Sequence, residues 1–425
     1  MNPERTFFNK GDSQFLREVN EVRLLNLIRT ESPISRSGIA KLANMSKATV
    51  SEIIHRLDEL GLIIEIGKGE STAKGGKRPT LLKMNPEGGY VFGLEFKLGG
   101  TLIALANIEG QQIAENWVEH AVGSAIDEVL PNVISAMDDM LAEVDNSLEK
   151  LVSIGLGTPG LVNYDKGMLL VADTLGGWAN QPLTKHFTDH FGVPVVLEND
   201  VNTITLGEFL FGIGQQESDM ICISIGDGIG AGIIQNRKLI RGINGAAGEI
   251  GYIETTCHIG ENGVLKYLVG NHRYFGELLS EWNLFHGIKK ALGSENLQMV
   301  KRINRDEMLH YLKLGDQGNS TIQKVLDEYA VGLGVLCSLC MKTINPSLII
   351  LNGLIVENSK YLISQLNGYI NRSLAKVPLK INSRVAVGSL GKEAGIKGAI
   401  ALASQILFRP HVNENFKFNG FEEID

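Results

Sequence analysis

The chain has 425 residues, of which 44% are hydrophobic and 21% charged, which is the composition of a globular protein and excludes wholesale disorder. Its length exceeds the usual size of one hydrophobic core and predicts two or three domains. Residues 1–85 carry 14 basic and 10 acidic residues, whereas the whole chain has a net charge of −8. A basic start on an acidic body is typical of a nucleic-acid-binding module, although a chance imbalance explains it equally well.

Targeting signals are missing from the sequence. We find no apolar run of about 18 residues and no apolar core of a secretory leader near the N-terminus. Four cysteines in so long a chain do not form a disulfide framework. We therefore expect a cytoplasmic protein that does not contact a membrane.

Three predicted helices occupy most of the first 60 residues. Apolar residues at helical spacing predict the first helix over 18–29. Ser35 can cap a second helix that runs to Leu42, and Ser46, after a short turn, can cap a third helix that Gly61 ends. Helix, tight turn and capped helix form the layout of a helix-turn-helix, which we expect within an N-terminal module of residues 1–85.

The third helix and the segment after it carry the residues expected to contact DNA. Short polar side chains at the start of this helix can reach base edges, and its basic side chains can reach phosphates. Two apolar strands, over 62–66 and 77–82, flank a glycine- and lysine-rich loop and predict a wing on the sugar-phosphate backbone. Similar modules also bind proteins, and that alternative stays open. The predicted DNA contacts are Ser46, Lys47, Ala48, Thr49, Ser51, Arg56, Lys74, Lys77 and Arg78.

The rest of the chain alternates strands and helices. Two β-branched segments with glycines, 90–95 and 220–226, each begin such a stretch. The pattern predicts two related α/β lobes with a cleft between them. We assign 86–201 to the first lobe, 202–408 with a helix-rich insertion to the second lobe, and 409–425 to a peripheral C-terminal tail.

Four later segments combine glycines with polar side chains near the expected cleft. Carboxylate and amide groups there can accept hydrogen bonds from hydroxyl groups, and amides can also donate them. Clustered glycines mark tight turns or backbone that closely approaches a ligand. The four segments are 154–160, 195–202, 223–232 and 245–252.

Taken together, these motifs resemble the ROK family, named for repressors, open reading frames and kinases, over nearly the whole chain. Segments 344–353 and 390–399 resemble the second-lobe elements that flank the nucleotide in the family's kinases. The repressor branch, known from xylose and N-acetylglucosamine regulators, joins a winged helix-turn-helix to a two-lobed fold. The resemblance therefore implies an α/β protein with a two-lobed actin-like, sugar-kinase-like ATPase fold after that N-terminal module.

The resemblance also implies a sugar-binding site. In the family's kinases, the residues that match Asn199 and Asp200 bind sugar hydroxyls, and the aspartate is also the general base. Glu249 matches another hydroxyl ligand, Gly160 matches a backbone contact, and Tyr252 stands where many relatives have a histidine that orients the sugar. A phenol still offers a hydrogen bond and a ring for a sugar face. The alternative for Asn199 and Asp200 is a simple turn at a strand end.

Phosphoryl transfer is not expected from this sequence. The second glycine loop has Asp227 where the kinase pattern has a hydroxyl residue, and a carboxylate there repels a polyphosphate. The kinase pattern of the first loop is an aspartate followed by Gly-Gly-Thr, whereas this chain has Glu95 and shifted glycines over 95–101. Lys97 in this loop could attract phosphate, so the prediction depends on Asp227. We therefore predict no catalytic residues and no cofactor, with an active ATP-dependent sugar kinase as the alternative.

The structural zinc site of many relatives is also expected to be missing. Tyr252 replaces its histidine, and only Cys257 remains of its three cysteines, because Ile259 and Val264 occupy the other two positions. One thiol and His258 cannot complete a tetrahedral zinc site. We therefore predict no bound metal.

These observations lead to one hypothesis. The chain is predicted to be a homodimeric, sugar-responsive repressor of carbohydrate-utilisation genes, with xylose or a related sugar as its effector. It would bind palindromic double-stranded operator DNA, and sugar in the interlobe cleft would change the affinity for that DNA. The alternatives are the sugar kinase and a module whose N-terminal part binds another protein.

Overall fold

The structure is a computed structural model that describes residues 10–69, 78–144, 148–254, 274–293, 303–375, 378 and 382–408. Strands among these residues form four sheets, two with three strands and two with five. Within the same ranges, no helix is both long and apolar enough to cross a membrane.

The N-terminal module contains the three predicted helices. Ser35 and Ser46 cap the second and third helices as predicted, since their Oγ atoms accept hydrogen bonds from the N–H groups of Gly38 and Thr49, each at 3.1 Å. The first helix is longer than predicted, and a two-residue strand before the second helix was missed because so short a segment has no periodicity. The elements are α1 (Lys10–Glu31), β1 (Ile34–Ser35), α2 (Arg36–Ala43), α3 (Lys47–Glu59), β2 (Ile63–Lys68) and β3 (Thr80–Met84).

A five-stranded sheet follows, here called the first sheet. Its strands lie in the order β11-β7-β4-β5-β6, with β4 antiparallel to β5 and parallel to β7. A small sheet, β10-β9-β8, lies between β7 and α5 in the chain. The elements are β4 (Tyr90–Lys97), β5 (Gly100–Asn107), β6 (Gln112–Glu119), α4 (Ile126–Glu143), β7 (Leu151–Thr158), β8 (Leu161–Asn163), β9 (Met168–Ala172), β10 (Trp178–Gln181), α5 (Leu183–Phe191), β11 (Val195–Asn199) and α6 (Asp200–Leu210).

The second five-stranded sheet repeats this topology. Its order is β14-β13-β12-β15-β16, again with three antiparallel strands followed by two parallel ones. The predicted relation between two α/β units is thus visible in their sheets. The elements are β12 (Met220–Ile225), β13 (Ile229–Gln235), β14 (Lys238–Ile240), α7 (Phe275–Leu278), α8 (Glu281–Ala291), α9 (Arg305–Asp316), α10 (Ser320–Thr343), β15 (Leu348–Asn352), α11 (Leu354–Glu357), α12 (Lys360–Leu374), β16 (Arg384–Val387) and α13 (Ala394–Leu407).

Helix α13 follows the second sheet in the chain but packs on the first sheet. A Cβ on Gly93 of β4 would lie 2.8 Å from the backbone nitrogen of Ile400, and one on Gly155 of β7 would lie 2.2 Å from the carbonyl oxygen of Ala399. Only glycine permits this approach of helix to sheet. The order of elements along the chain therefore does not reveal that α13 packs on the first sheet.

Candidate ligand-binding cleft and nucleic-acid interface

A cleft of about 760 Å³ lies between the two five-stranded sheets. Strand register explains its first wall, because Asn199 of β11 pairs with Thr158 of β7, and Gly157 of β7 pairs with Glu95 of β4. These strands are parallel, so the residues at their carboxyl ends meet at one edge of the sheet. All five residues predicted to bind sugar line the cleft, namely Gly160, Asn199, Asp200, Glu249 and Tyr252.

Asn199 organises the first wall through its side-chain amide. Its Nδ2 donates to the carbonyl oxygen of Gly160 at 2.9 Å, while its Oδ1 accepts from the N–H groups of Val201 and Asn202 and so caps α6. Gly160 has φ +97°, and an added Cβ would lie 2.0 Å from the carbonyl oxygen of Val171. The amide thus fixes the turn and the start of the helix together.

Asp200 begins α6 deep in this wall. Burial raises the pKa of Asp200, although hydrogen bonds from backbone N–H groups oppose the rise by stabilising the charged form. One of these donors is the N–H of Val201, 2.9 Å from Asp200 Oδ1. Its carboxylate is therefore held at a helix N-terminus, where it can accept hydrogen bonds from a polyhydroxyl ligand.

Lys97 places a positive charge beside Glu95, which is buried, and near Asp200, which is half-buried. Its Nζ lies 2.9 Å from Oε2 of Glu95. Burial raises the pKa of Glu95, and the nearby Lys97 charge counteracts the rise in pKa of both Glu95 and Asp200. Both Glu95 and Lys97 line the cleft, yet the sequence placed neither in the sugar site.

The second wall contributes Glu249 and Tyr252. Partial burial raises the pKa of Glu249, and the negative charge of Asp200 raises it further. The two carboxyl groups thus face the same space. Tyr252 lies at the mouth, 73% exposed, and its ring meets the Tyr274 ring edge to face at 6.2 Å between centroids. The exposed ring of Tyr252 can stack on an apolar sugar face.

The glycine loop between β12 and β13 has acidic surroundings. Asp227 is exposed in this loop, and the carbonyl oxygen of Gly226 accepts from the N–H of Glu281 at 2.9 Å. Burial raises the pKa of Glu281 to about 7, and Asp227 and Glu357 add to the rise against the opposing charge of Arg305. Acidic groups therefore surround this glycine loop.

A buried ion pair connects the two walls behind Asn199. Arg241, which follows β14, has its Nε 2.6 Å from Oε2 of Glu198, and its guanidinium lies 3.9 Å from the ring centre of Tyr164. The side chain of Glu198 is only 1% exposed, and its Oε1 also accepts from Asn199 N and Asn202 Nδ2. Sequence reasoning missed this pair because its members lie 43 positions apart on different sheets.

The N-terminal module presents most of the predicted DNA contacts to solvent. Ser46, Lys47, Ala48, Thr49 and Ser51 are all exposed at the start of α3. This places short side chains and one lysine on an open face, while the apolar residues of α3 point into the module.

The remaining predicted DNA contacts differ in their placement. Arg56 lies near the end of α3, where its Nη1 is 3.1 Å from Glu21 Oε1, so its charge is already paired. Arg78 is exposed next to β3, while Lys74 and Lys77 lie outside the described residues. The described basic residues of the predicted set are thus Lys47 and Arg78, both exposed, and Arg56, which is paired with Glu21.

The zinc prediction rests largely on residues outside the described ranges. Cys257, His258, Ile259 and Val264 all belong to this part of the chain. Among the described residues, no group of three or more metal-ligating side chains comes together.

Comparison with known proteins places these features in a family. The model of the ROK family matches residues 93–406. The xylose repressor of Caldicellulosiruptor bescii is 29% identical over 92% of this chain and 97% of its own length. The DNA-binding transcriptional dual regulator NagC of Escherichia coli (strain K12) is 25% identical over 95% of this chain and 98% of its own length.

Solved structures share the fold. A ROK family transcriptional regulator, a homologue of the E. coli MLC protein, matches with a TM-score of 0.76 and 22% identity over 93% of this chain and 97% of its own. A ROK family glucokinase from Streptomyces griseus, in complex with glucose and AMPPNP, matches with a TM-score of 0.58 and 24% identity over 75% of this chain and all of its own. The mixed α/β sheets are therefore those of the sugar-kinase-like fold, and the chain belongs to the ROK family.

Proposed function

We propose that the chain is a sugar-responsive, DNA-binding transcriptional repressor of carbohydrate-utilisation genes. The observation that carries this proposal is the presence, in one chain, of an exposed capped helix and a hydroxyl-binding cleft. The relatives named xylose repressor and NagC, matched over nearly their whole length, support the same function. Residues 1–85 form the DNA-binding domain, and 86–201 and 202–408 form the two lobes that bind sugar.

The N-terminal module is proposed to be a winged helix-turn-helix. Helices α2 and α3 are joined by a short turn in which Asn44 adopts φ +51°, and α3 begins at a serine cap. Strands β2 and β3 pair antiparallel and form the wing. A helix with its polar N-terminus exposed enters the major groove with its first residues on base edges, so Ser46, Lys47, Ala48, Thr49 and Ser51 contact the operator and Arg78 contacts phosphate.

We infer a homodimer, and the size of this helix supports it. One recognition helix of 13 residues covers a single half-site, and such modules read palindromic operators as pairs about one DNA turn apart. We therefore infer two copies on one operator. Sugar lowers or raises operator affinity only if it binds one arrangement of the lobes and modules better than the other.

Within the cleft, each proposed sugar contact has a distinct role. The carboxylates of Asp200 and Glu249 accept hydrogen bonds from hydroxyl groups, and the backbone at Gly160, fixed by Asn199, supplies a further contact. Tyr252 offers a ring at the mouth of the cleft. Neutral xylose or a related sugar suits such a set of acceptors.

We infer that the protein does not transfer phosphate. Catalysis of phosphoryl transfer requires donors and positive charge around the phosphates. Here Asp227 and Glu281 place carboxyl groups at the glycine loop instead. Because kinases share the fold, an ADP-release assay with ATP, D-xylose, D-glucose and N-acetylglucosamine tests this directly, and steady turnover would contradict it.

The repressor function is tested with fluorescence anisotropy on DNA from upstream of the protein's own gene. We expect specific binding that weakens steeply with salt, and a change of affinity with at least one of D-xylose, D-glucose and N-acetylglucosamine. Asp200→Asn keeps the operator affinity but weakens sugar binding by roughly tenfold to a hundredfold, since a charged acceptor is lost. Asp165→Asn, at an exposed position, is the control. Retained sugar response in Asp200→Asn would refute the assigned pocket.

A further inference from the structure

Helix α13 touches three parts of the molecule. It begins after a loop of the second sheet, lies on the first sheet and ends inside the N-terminal module. Its 14 residues span about 20 Å. Helix α13 can therefore transmit a movement of the second sheet to the N-terminal module.

The start of α13 is attached to both sheets. The N–H of Leu390 donates to Oε1 of Glu208 on α6 at 2.8 Å, and Asn352, the last residue of β15, donates from Nδ2 to the carbonyl oxygen of Gly391 at 3.4 Å. Gly395, in the first turn of α13, packs so closely on Glu95 that an added Cβ would lie 2.3 Å from its Oε1. Movement of the second sheet or of the cleft wall thus reaches this first turn.

The middle of α13 packs backbone to backbone on α6, the helix that begins with Asp200. A Cβ on Gly398 would lie 1.7 Å from the carbonyl oxygen of Thr203, and one on Gly207 would lie 2.1 Å from that of Ala394. Thr203 Oγ1 donates back to the carbonyl oxygen of Asp200 at 2.7 Å. Because no flexible side chain separates the two helices, they have little freedom to shift independently.

Phe408, directly after α13, is inserted into the N-terminal module. It is 8% exposed and belongs to the same core cluster as Leu24 and Ile28 of α1. Asn26 Nδ2 donates to its carbonyl oxygen at 3.1 Å, and the guanidinium of Arg29 lies 4.0 Å from its ring centre. Both the ring and the backbone of Phe408 are therefore held by α1.

We propose that Phe408 is the positioning residue through which the sugar-bound state of the cleft sets the placement of the N-terminal module. The proposal rests on the proposed function, since it concerns how sugar and operator binding are coupled. A sugar that draws the two sheets together displaces the start of α13 and tilts its end against α1. The two modules of a dimer then change their spacing, and the operator affinity changes with it.

The test measures coupling in the full-length protein. For the wild type, Phe408→Ala and Arg29→Ala, operator affinity is measured by anisotropy with and without D-xylose, D-glucose and N-acetylglucosamine, and sugar affinity by calorimetry. We expect a wild-type change in operator affinity of about tenfold with the active sugar. Both variants should keep their sugar affinity within about twofold, while the change in operator affinity falls below about twofold.

Arg237→Ala is the matched control, because its guanidinium also stacks on a phenylalanine, 4.8 Å from the ring centre of Phe209, but in the body of the protein. It should respond to sugar like the wild type. If Phe408→Ala fails to bind operator even without sugar, the proposal is judged on the coupling between sugar and operator binding in Arg29→Ala. Unchanged coupling in Arg29→Ala, or an equal loss of sugar affinity, overturns the proposal. A wild type that responds to no sugar overturns the proposed function itself.

Discussion

Glu281 is a buried acid beside the glycine loop between β12 and β13. Its carboxyl group has a raised pKa of about 7 because it is buried beside Asp227 and Glu357 at the glycine loop. Between an unfolded-state pKa near 4.5 and this value, the folded protein binds more protons than the unfolded chain. The free energy of unfolding therefore decreases as the pH rises through this window.

We accordingly predict that Glu281→Gln stabilises the protein at pH 8. The gain is at most about 3 kcal/mol, shrinks as the pH falls, and vanishes about a pH unit below the unfolded-state pKa, where the wild-type group is protonated in both states. Denaturant unfolding at several pH values measures it. Glu254→Gln, at an exposed position, should show no such dependence. A Glu281→Gln effect of the same size at every pH would exclude the titration of Glu281 as its cause.

At the residue scale, the sequence also predicted residues that line the cleft. Asn199, Asp200 and Glu249 could be named from the resemblance of their motifs to the ROK family, and all three line the cleft. The Glu95–Lys97 pair and the Glu198–Arg241 pair could not, because each depends on burial and distance rather than on a motif. The paired state of Arg56 likewise appears only once α1 and α3 are packed together.

At the scale of elements, the sequence predicted where helices begin and end better than it predicted the sheet on which a helix packs. The ends of α2 and α3 follow from local chemistry, since serine caps and helix-ending residues act within one turn. The sheet on which α13 packs does not follow from local chemistry, because the apolar composition of this helix fits burial on either sheet. Its glycines reveal the packing only after the carbonyl groups opposite them are known.

The contact between α6 and α13 yields the next prediction. Gly398→Ala places a methyl group against the carbonyl oxygen of Thr203 and should destabilise the protein by about 2 kcal/mol or more. Gly368→Ala in α12 is the matched control, because its new Cβ would meet only the end of the Arg372 side chain, at 3.3 Å. Alanine there should be neutral or stabilising. Chemical denaturation compares the two, and an equal effect would show that α6 and α13 are not close-packed.

At the scale of the whole molecule, the Arg241–Glu198 ion pair joins the two walls of the cleft. It lies directly behind Asn199, whose N–H also donates to Glu198. Breaking such a pair leaves a buried charge without its partner, whereas replacing both members removes the charge altogether. The pair therefore couples the relative position of the two sheets to the stability of the wall that contains Asn199.

A double-mutant cycle measures the interaction energy between Arg241 and Glu198. Arg241→Met should destabilise the protein by about 3 to 5 kcal/mol, because Glu198 is 1% exposed and becomes an unpaired buried charge. Adding Glu198→Gln should recover a large part of that loss, since the amide is neutral and its oxygen still accepts from the Asn199 N–H and from Asn202 Nδ2. Unfolding free energies of both single variants and the double variant give the interaction energy. Additive effects would mean that Arg241 and Glu198 stabilise the two walls independently, and that lobe placement rests on the backbone contacts of α6 and α13 instead.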